Sequence, residues 1–265
     1  MNLIYKTITS KDALIPYQED ILDLFKSSFK KNLSSEQWRW AYIQCIGNPV
    51  VTLCFDDDRL IGHYAIIPMP LSRGDRQVLC GLSMTTMVES SFRRYSVFVE
   101  MANRTYDQAT KDGYAYVYGF PNKNSLPGFK KRLEWRIQED VYLAYMPLAQ
   151  ILDHLKLAGS GLADELKFDL TNEALLSWRL SKPEVDYVSE NKIIYKTYND
   201  KKDLLLIREG SSGYRLDAEY YTLVSRDIGK FMTYKVSDYP IGYRKLQNDG
   251  ESFDLMPELI LSDVF

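Results

Sequence analysis

The hydrophobic pattern changes period at Gly47-Asn48-Pro49, and that change confines the chain to a mixed α+β fold. Ahead of it, Tyr17 to Lys31 carries Ile21, Leu22, Phe25 and Phe29 at helical spacing, with Lys30 and Lys31 in the last turn. Ser34 followed by Gln37 reads as a capping box that opens a second helix through Trp38, Tyr42 and Ile43. Behind it, Val50 to Phe55 and Leu60 to Ile67 are strand-like. The acidic turn Asp56-Asp57-Asp58-Arg59 between them predicts a hairpin.

Pro68 and Pro70 interrupt this hairpin, Ser72-Arg73-Gly74-Asp75 turns the chain again, and Gln77 to Val88 is extended. A helix is predicted from about Val97 to Lys111, with Phe98, Met101, Ala102, Thr105 and Ala109 inward, and Asp112-Gly113 ends it. Tyr114 to Phe120 reads as a short buried strand, Leu126 to Leu133 as a brief helix and Trp135 to Tyr145 as another strand. The order is helix, helix, three strands, helix, strand, helix, strand. It predicts one right-handed parallel crossover inside an otherwise antiparallel sheet.

After Pro147 the organisation restarts. Ala149 to Lys156 is helical, Ala158-Gly159-Ser160-Gly161 reads as a linker, and Thr171 to Leu180 is a helix stopped before Pro183. Tyr187-Val188 and Ile193 to Thr197 bracket a hairpin-like turn at Ser189-Glu190-Asn191, and Trp40 and Trp178 fall in comparable helices. Residues 148–265 are thus either a degenerate copy of residues 1–147 or ordinary α+β sequence. A chain of 265 residues suits two domains divided at that point.

Composition narrows the function classes. With 33 basic and 36 acidic side chains the net charge is −3, which gives no field to gather nucleic acid. Cys45, Cys54 and Cys80 have no paired spacing and read as buried thiols. With only His63 and His154 besides, no metal site is expected. No run approaches the roughly 18 apolar residues of a membrane span, and polar residues come too early for a secretory leader, so a cytoplasmic chain is expected.

The chemistry concentrates between Leu82 and Phe98, read LSMTTMVESSFRRYSVF. An extended segment ends at Val88, and Arg93-Arg94-Tyr95-Ser96-Val97-Phe98 then leads into a helix. Unpaired backbone N–H groups at that helix start, flanked by two guanidinium groups, suit an anion such as a pyrophosphate. The stretch resembles the acyl-CoA motif of GNAT proteins, [Q/R]-x-x-G-x-[G/A], with Arg93 at the first position. Ser96 stands where glycine is usual and Phe98 where a small residue is. Val88 to Arg93 resembles the family's V-x-P-x-[Y/F]-R lead-in, with serine for proline. Asn122 and Ser125, running on to Arg132-Leu133-Glu134-Trp135, resemble its N-x-x-[A/S] and [K/R]-L-G-[F/W] elements, and Gly119-Phe120-Pro121-Asn122 is similar to members found among bacterial surface-sugar enzymes.

The resemblance covers residues 15 to 145 and implies a GNAT-like sheet whose fourth and fifth strands splay. It implies acetyl-CoA as co-substrate, with its pantetheine on the backbones of Met87 and Val88, its pyrophosphate on Arg93 to Phe98, and Asn122 or Asn124 beside the arm. The family's tyrosine acid falls at Phe129 or Lys130, neither of which replaces it simply. His63 remains as the candidate catalytic base or as a packed strand histidine, with Tyr64 on the opposite face. The expected activity is N-acylation of a small amine, with a nucleotide-linked amino sugar favoured. The alternatives are a non-catalytic acyl-CoA-binding or regulatory module and an aminoacyl-tRNA-dependent transferase of tandem-GNAT type.

Overall fold

The computed structural model describes residues 2–158, 165–208, 215–225, 229–247 and 252–262. The chain opens with β1 (Leu3–Ile8), a short α1 (Lys11–Leu14), α2 (Gln18–Phe29) and α3 (Ser35–Tyr42). Ser34 caps α3 by accepting from the Gln37 amide at 3.1 Å, while the Gln37 side chain turns away to Glu184, so half of the capping box forms. The hairpin β2 (Val50–Asp56) and β3 (Arg59–Pro68) turns at Asp57, whose φ of 55° is left-handed. The expected extended stretch from Gln77 divides. A small hairpin of β4 (Leu71–Arg73) and β5 (Arg76–Val78) precedes β6 (Cys80–Val88). Next come α4 (Val97–Lys111), β7 (Tyr116–Gly119) and α5 (Leu126–Arg132).

The expected strand from Trp135 to Tyr145 is two strands. β8 (Arg136–Gln138) and β9 (Val141–Pro147) are separated by Glu139-Asp140 and belong to different sheets. A run of strand-forming residues in a sequence does not reveal that the chain crosses between sheets midway. Beyond lie α6 (Leu148–Ala158), β10 (Lys167–Phe168), α7 (Glu173–Arg179), β11 (Tyr187–Glu190), β12 (Ile193–Tyr198), β13 (Lys201–Ile207), β14 (Glu219–Ser225), β15 (Lys235–Asp238) and β16 (Ile241–Lys245). Part of the expected linker, 159–161, lies outside the described residues.

The two large sheets are built on one plan. The first runs β1-β2-β3-β6-β7-β16-β8 and the second β11-β12-β13-β14-β9-β15. Each has a single parallel pair, β6 with β7 and β13 with β14, among antiparallel neighbours. In each, the strand beyond that pair comes from the other half of the chain. β16 lies between β7 and β8, and β9 lies between β14 and β15. The halves exchange strands across residue 147.

Packing follows from this exchange. One face of the first sheet, with α2 and α3, shares a continuous core with the second sheet, uniting Ile21, Trp38, Leu205 and Leu223. At its centre Trp40 and Trp178 stack at 5.3 Å, and each indole N–H donates to the other's carbonyl at 2.8 Å. Two such buried bonds contribute about 1 kcal/mol each. The opposite face of the first sheet buries Met101, Ala102, Thr105 and Ala109 of α4, as the sequence pattern predicts, together with Val97, while Phe98 is only half-buried. The second sheet's outer face is closed by α6 through Ile151.

The inserted strand is tightly fitted. A Cβ at Gly242 would lie 2.7 Å from the Trp135 ring. Gly242→Ala should therefore destabilise the chain by about 1–3 kcal/mol, read as a lower urea midpoint at unchanged m-value. An unchanged midpoint would argue that β16 does not occupy this place.

Candidate active site

β6 and β7 pair only at Cys80↔Tyr116, Gly81↔Val117 and Leu82↔Tyr118, and then part. On its other edge β6 stays paired with β3 as far as Val88. Ser83 to Val88 therefore offer a stretch of backbone edge with no strand beside it. The vertex is crowded. A Cβ at Gly119 would stand 3.2 Å from the Ser83 carbonyl oxygen, so only glycine lets the strands come this close before they diverge. Within the open stretch Thr85 takes φ of 52°, and the β3–β6 register slips between His63 and Ala65, which marks a bulge. A cavity of about 860 Å³ fills the fork.

Its mouth is the start of α4. The first amides, from Val97 on, have no carbonyl within the helix to bond and carry the positive end of its dipole. Ser96 caps the helix at φ 58° and ψ 14°, the left-handed conformation that a glycine adopts freely. For serine it costs about 1–2 kcal/mol. Arg93 lines the cavity and its Nε donates to the Val88 carbonyl at 3.2 Å, which ties the loop to the end of β6. The side chains of Arg94 and Tyr95 lie outside the described residues. Lys131 and Arg132 of α5 line the same cavity, and no carboxylate is among the described lining residues. The fork is built for an anion.

Phe98 does not block it. The ring turns toward α5, edge-on to Phe129 at 5.4 Å, and forms part of the wall. Asn122 and Asn124 both line the cavity, but the Asn122 Oδ1 is engaged, accepting from the amides of Asn124 at 2.9 Å and Ser125 at 3.0 Å. It shapes the turn into α5. Phe129 is buried against Trp135 at 4.5 Å, and Lys130 is ion-paired with Glu139 at 2.8 Å. Neither offers a phenol-like acid.

At the vertex a chain of hydroxyls ends in the cavity. The Trp135 indole N–H donates to the Tyr106 hydroxyl at 3.0 Å, Tyr106 and Tyr64 hydroxyls meet at 2.7 Å, and Tyr64 reaches Ser83 Oγ at 2.9 Å. Indole can only donate, so a consistent set has each hydroxyl donating onward, leaving the Ser83 proton for the cavity. Burial pushes both phenols above their ordinary range, so they act as fixed hydrogen-bond donors rather than as ions.

His63 stands on the other face. It is fully buried, edge-on to Tyr42 at 5.7 Å, and its Nδ1 lies 2.7 Å from the Thr85 carbonyl oxygen. A carbonyl can only accept, so Nδ1 carries the proton. Burial lowers the ring pKa to about 4. His63 is not part of the cavity wall; it holds the bulge from behind.

Residues 13–138 match the family described as an acetyltransferase (GNAT) domain. That segment, a little under half of the chain, is its GNAT acetyltransferase domain. No curated protein matches the sequence. Among solved structures, a GCN5-related N-acetyltransferase from Kribbella flavida superposes with a TM-score of 0.61 at 11% identity, over 92% of this chain and 71% of its own. A probable N-acyltransferase from Enterococcus faecalis V583 gives 0.59 at 10% identity, over 93% and 73%. A putative acetyltransferase from Pyrococcus horikoshii gives 0.55 at 11%, over 96% and 92%. At such identities the likeness is one of fold, and it runs through both halves of the chain.

In the GNAT domain, Met87 and Val88 lie on the open edge, and Arg93 and Phe98 at its mouth. Sequence reading missed Ser83 and Lys131. The basic run at the end of α5 was a signal for the second, whereas Ser83 matters only through contacts with Tyr64 and Gly119 that are distant in sequence.

His63 also makes stability depend on pH. Its folded pKa is depressed, so above pH 6.5 it is neutral in both states and contributes no slope. As pH falls, the unfolded chain takes up the proton first. Stability should fall between about pH 6.5 and 4 by about 3 kcal/mol from this group alone. His63→Asn keeps an N–H for the Thr85 carbonyl but cannot titrate. The difference between the two chains' urea stabilities across that window isolates the effect, and parallel curves would show that the ring is not sealed.

Proposed function

We propose that the GNAT domain transfers an acetyl group from acetyl-CoA to the primary amine of a small molecule in the cytoplasm. The observation that carries this reading is the open β6 edge with a cationic, carboxylate-free wall at the mouth of its cavity. An extended amide-bearing arm can replace the missing strand along Ser83 to Val88, as a peptide does at a sheet edge. The start of α4, Arg93, Lys131 and Arg132 suit the phosphates at the other end. Acetyl-CoA, when bound, supplies the thioester; the chain's own groups orient it and place protons.

In this reading the Ser83 hydroxyl, aligned by Tyr64 and Tyr106, donates a hydrogen bond at the vertex, where the thioester end lies. His63 is a positioning residue that fixes the Thr85 bulge, in place of the base expected from sequence. Its seclusion and its low pKa support that change. The acceptor class to test first is a nucleotide-linked amino sugar, on the resemblance of Gly119-Phe120-Pro121-Asn122; these residues line the cavity from Gly119 onward.

CoA at 100 times its Kd should stabilise the native chain by about 2.7 kcal/mol, read as a raised Tm, whereas tRNA should not. Thiol release from acetyl-CoA in the presence of an amine panel that includes amino sugars should then identify the acceptor. CoA binding without release for any amine would leave a binding module, and no shift with CoA would sink the reading altogether.

His63→Ala should lower kcat about tenfold or more with little change in KM for acetyl-CoA, and His63→Asn should restore much of the loss. Ser83→Ala should lower kcat by about tenfold or more, with the CoA-induced Tm shift retained. If His63→Asn is as impaired as His63→Ala, and a limb of the pH–rate profile vanishes in both, His63 is the base after all.

A further inference from the structure

We propose that the fork of the second sheet, between β13 and β14, is a separate binding site for a small organic cation with an apolar body. These strands run parallel and pair only at Asp203↔Tyr221, and a cavity of about 410 Å³ is lined by both strands beyond that pair. Leu206 and Ile207 of β13, Leu223 of β14 and Ile151 and Leu155 of α6 give it apolar walls. The volume falls within the range of pockets that enclose small ligands.

The charge of the wall decides the ligand class. Asp140, Glu165, Asp254 and Glu258 line the cavity, and no lysine or arginine is among its described lining residues. Burial pushes the Glu258 carboxyl up to about 7, offset in part by the Phe168 amide and Lys167. Burial also raises Glu165, with the Asp254 carboxylate adding to it. A positive ligand among these carboxyl groups would reverse both shifts. An anion such as CoA would face these carboxyl groups with no lysine or arginine in the described wall.

The remaining polar atoms ask for the same partner. His154 is 4% exposed, its ring set edge-on to Phe231 at 5.4 Å, and its Nε2 is buried without a hydrogen-bond partner. Burial lowers its pKa, so the ring is neutral near pH 7, and the tautomer protonated on Nδ1 offers the lone pair of Nε2. Gln138 Oε1, also in the wall, is a buried acceptor with no partner. Carboxylates, an amide oxygen and a neutral imidazole together form a set of acceptors, which a protonated amine with its several N–H donors satisfies. A bare metal ion fits less well, because no three His, Cys, Asp or Glu side chains converge as ligands among the described residues, and the apolar walls offer it nothing.

The test needs no acyl-CoA chemistry, so its outcome is independent of the first fork's activity. The full chain, at about pH 8 so that the carboxyl groups are ionised, is titrated calorimetrically with phenethylamine, and with phenylacetate and 2-phenylethanol as anionic and neutral counterparts. Phenethylamine should bind and its counterparts should not. Glu258→Gln, which keeps the acceptor for the Phe168 amide, should weaken binding about tenfold or more. His154→Phe, which fills the cavity with an apolar ring, should abolish it. Saturating CoA should leave amine binding unchanged. Equal binding of phenylacetate, competition by CoA, full affinity in both variants, or no binding of phenethylamine or the smaller cyclohexylamine would each overturn the proposal.

Discussion

Everything at the first site depends on β6 and β7 parting after three residue pairs. A strand edge in a protein is a row of donors and acceptors that must be satisfied, and most proteins cover such edges or blunt them. Here the edge is kept open from inside. The glycine at 119 allows the closest approach at the vertex, the bulge at Thr85 changes the direction of β6, and His63 holds that bulge through the Thr85 carbonyl. The fork is thus a built feature of the sheet, maintained by contacts on both of its faces, with the Tyr64–Tyr106 hydroxyl pair on one side and the His63–Tyr42 contact on the other.

The exchange of β9 and β16 places part of this machinery in the second half of the chain. Arg244 of β16 lies over the Tyr106 ring at 5.2 Å and donates through Nη1 to the Leu133 carbonyl at 2.6 Å, steadying the end of α5 beside Trp135. A cut at residue 147 would leave each large sheet without a strand, because β9 precedes the cut and β16 lies beyond it. The shared core around Trp40 and Trp178 joins the same two halves. What the second half contributes to the first is therefore backbone and packing, and this does not require an active site of its own.

Local elements were legible in the sequence because their causes are local. The span of α4 follows from its apolar face and the Asp112-Gly113 stop, and the β2–β3 hairpin from its acidic turn. The parallel step around α4 follows from element order. The split of Trp135 to Tyr145, and β1, were not legible. Sheet membership is set by partners far away in the chain, and Leu3 to Ile8 borders a sheet edge with an exposed pattern that gives little periodic signal. At the site, Arg93 and Ser96 were visible as a motif. The displacement of His63 from the cavity was not, since period two says which face a residue is on but not what lies in front of it. Neighbouring Tyr220 and Tyr221 of β14 pack on opposite faces, Tyr220 on Tyr195 and Tyr221 on Tyr145.

The two forks share a plan and differ in charge, and the difference traces to the segments packed beside each. After β6 the chain turns into α4, a helix of 15 residues whose amino end adds positive potential to Arg93 and to the basic end of α5. At the second fork the described wall is completed by α6 and by the carboxyl-bearing segment around Asp254 and Glu258. One strand arrangement is therefore lined by cations in the first fork and by carboxyl groups in the second. The sheet supplies the opening, and the segments packed against it set the sign of the charge along its wall.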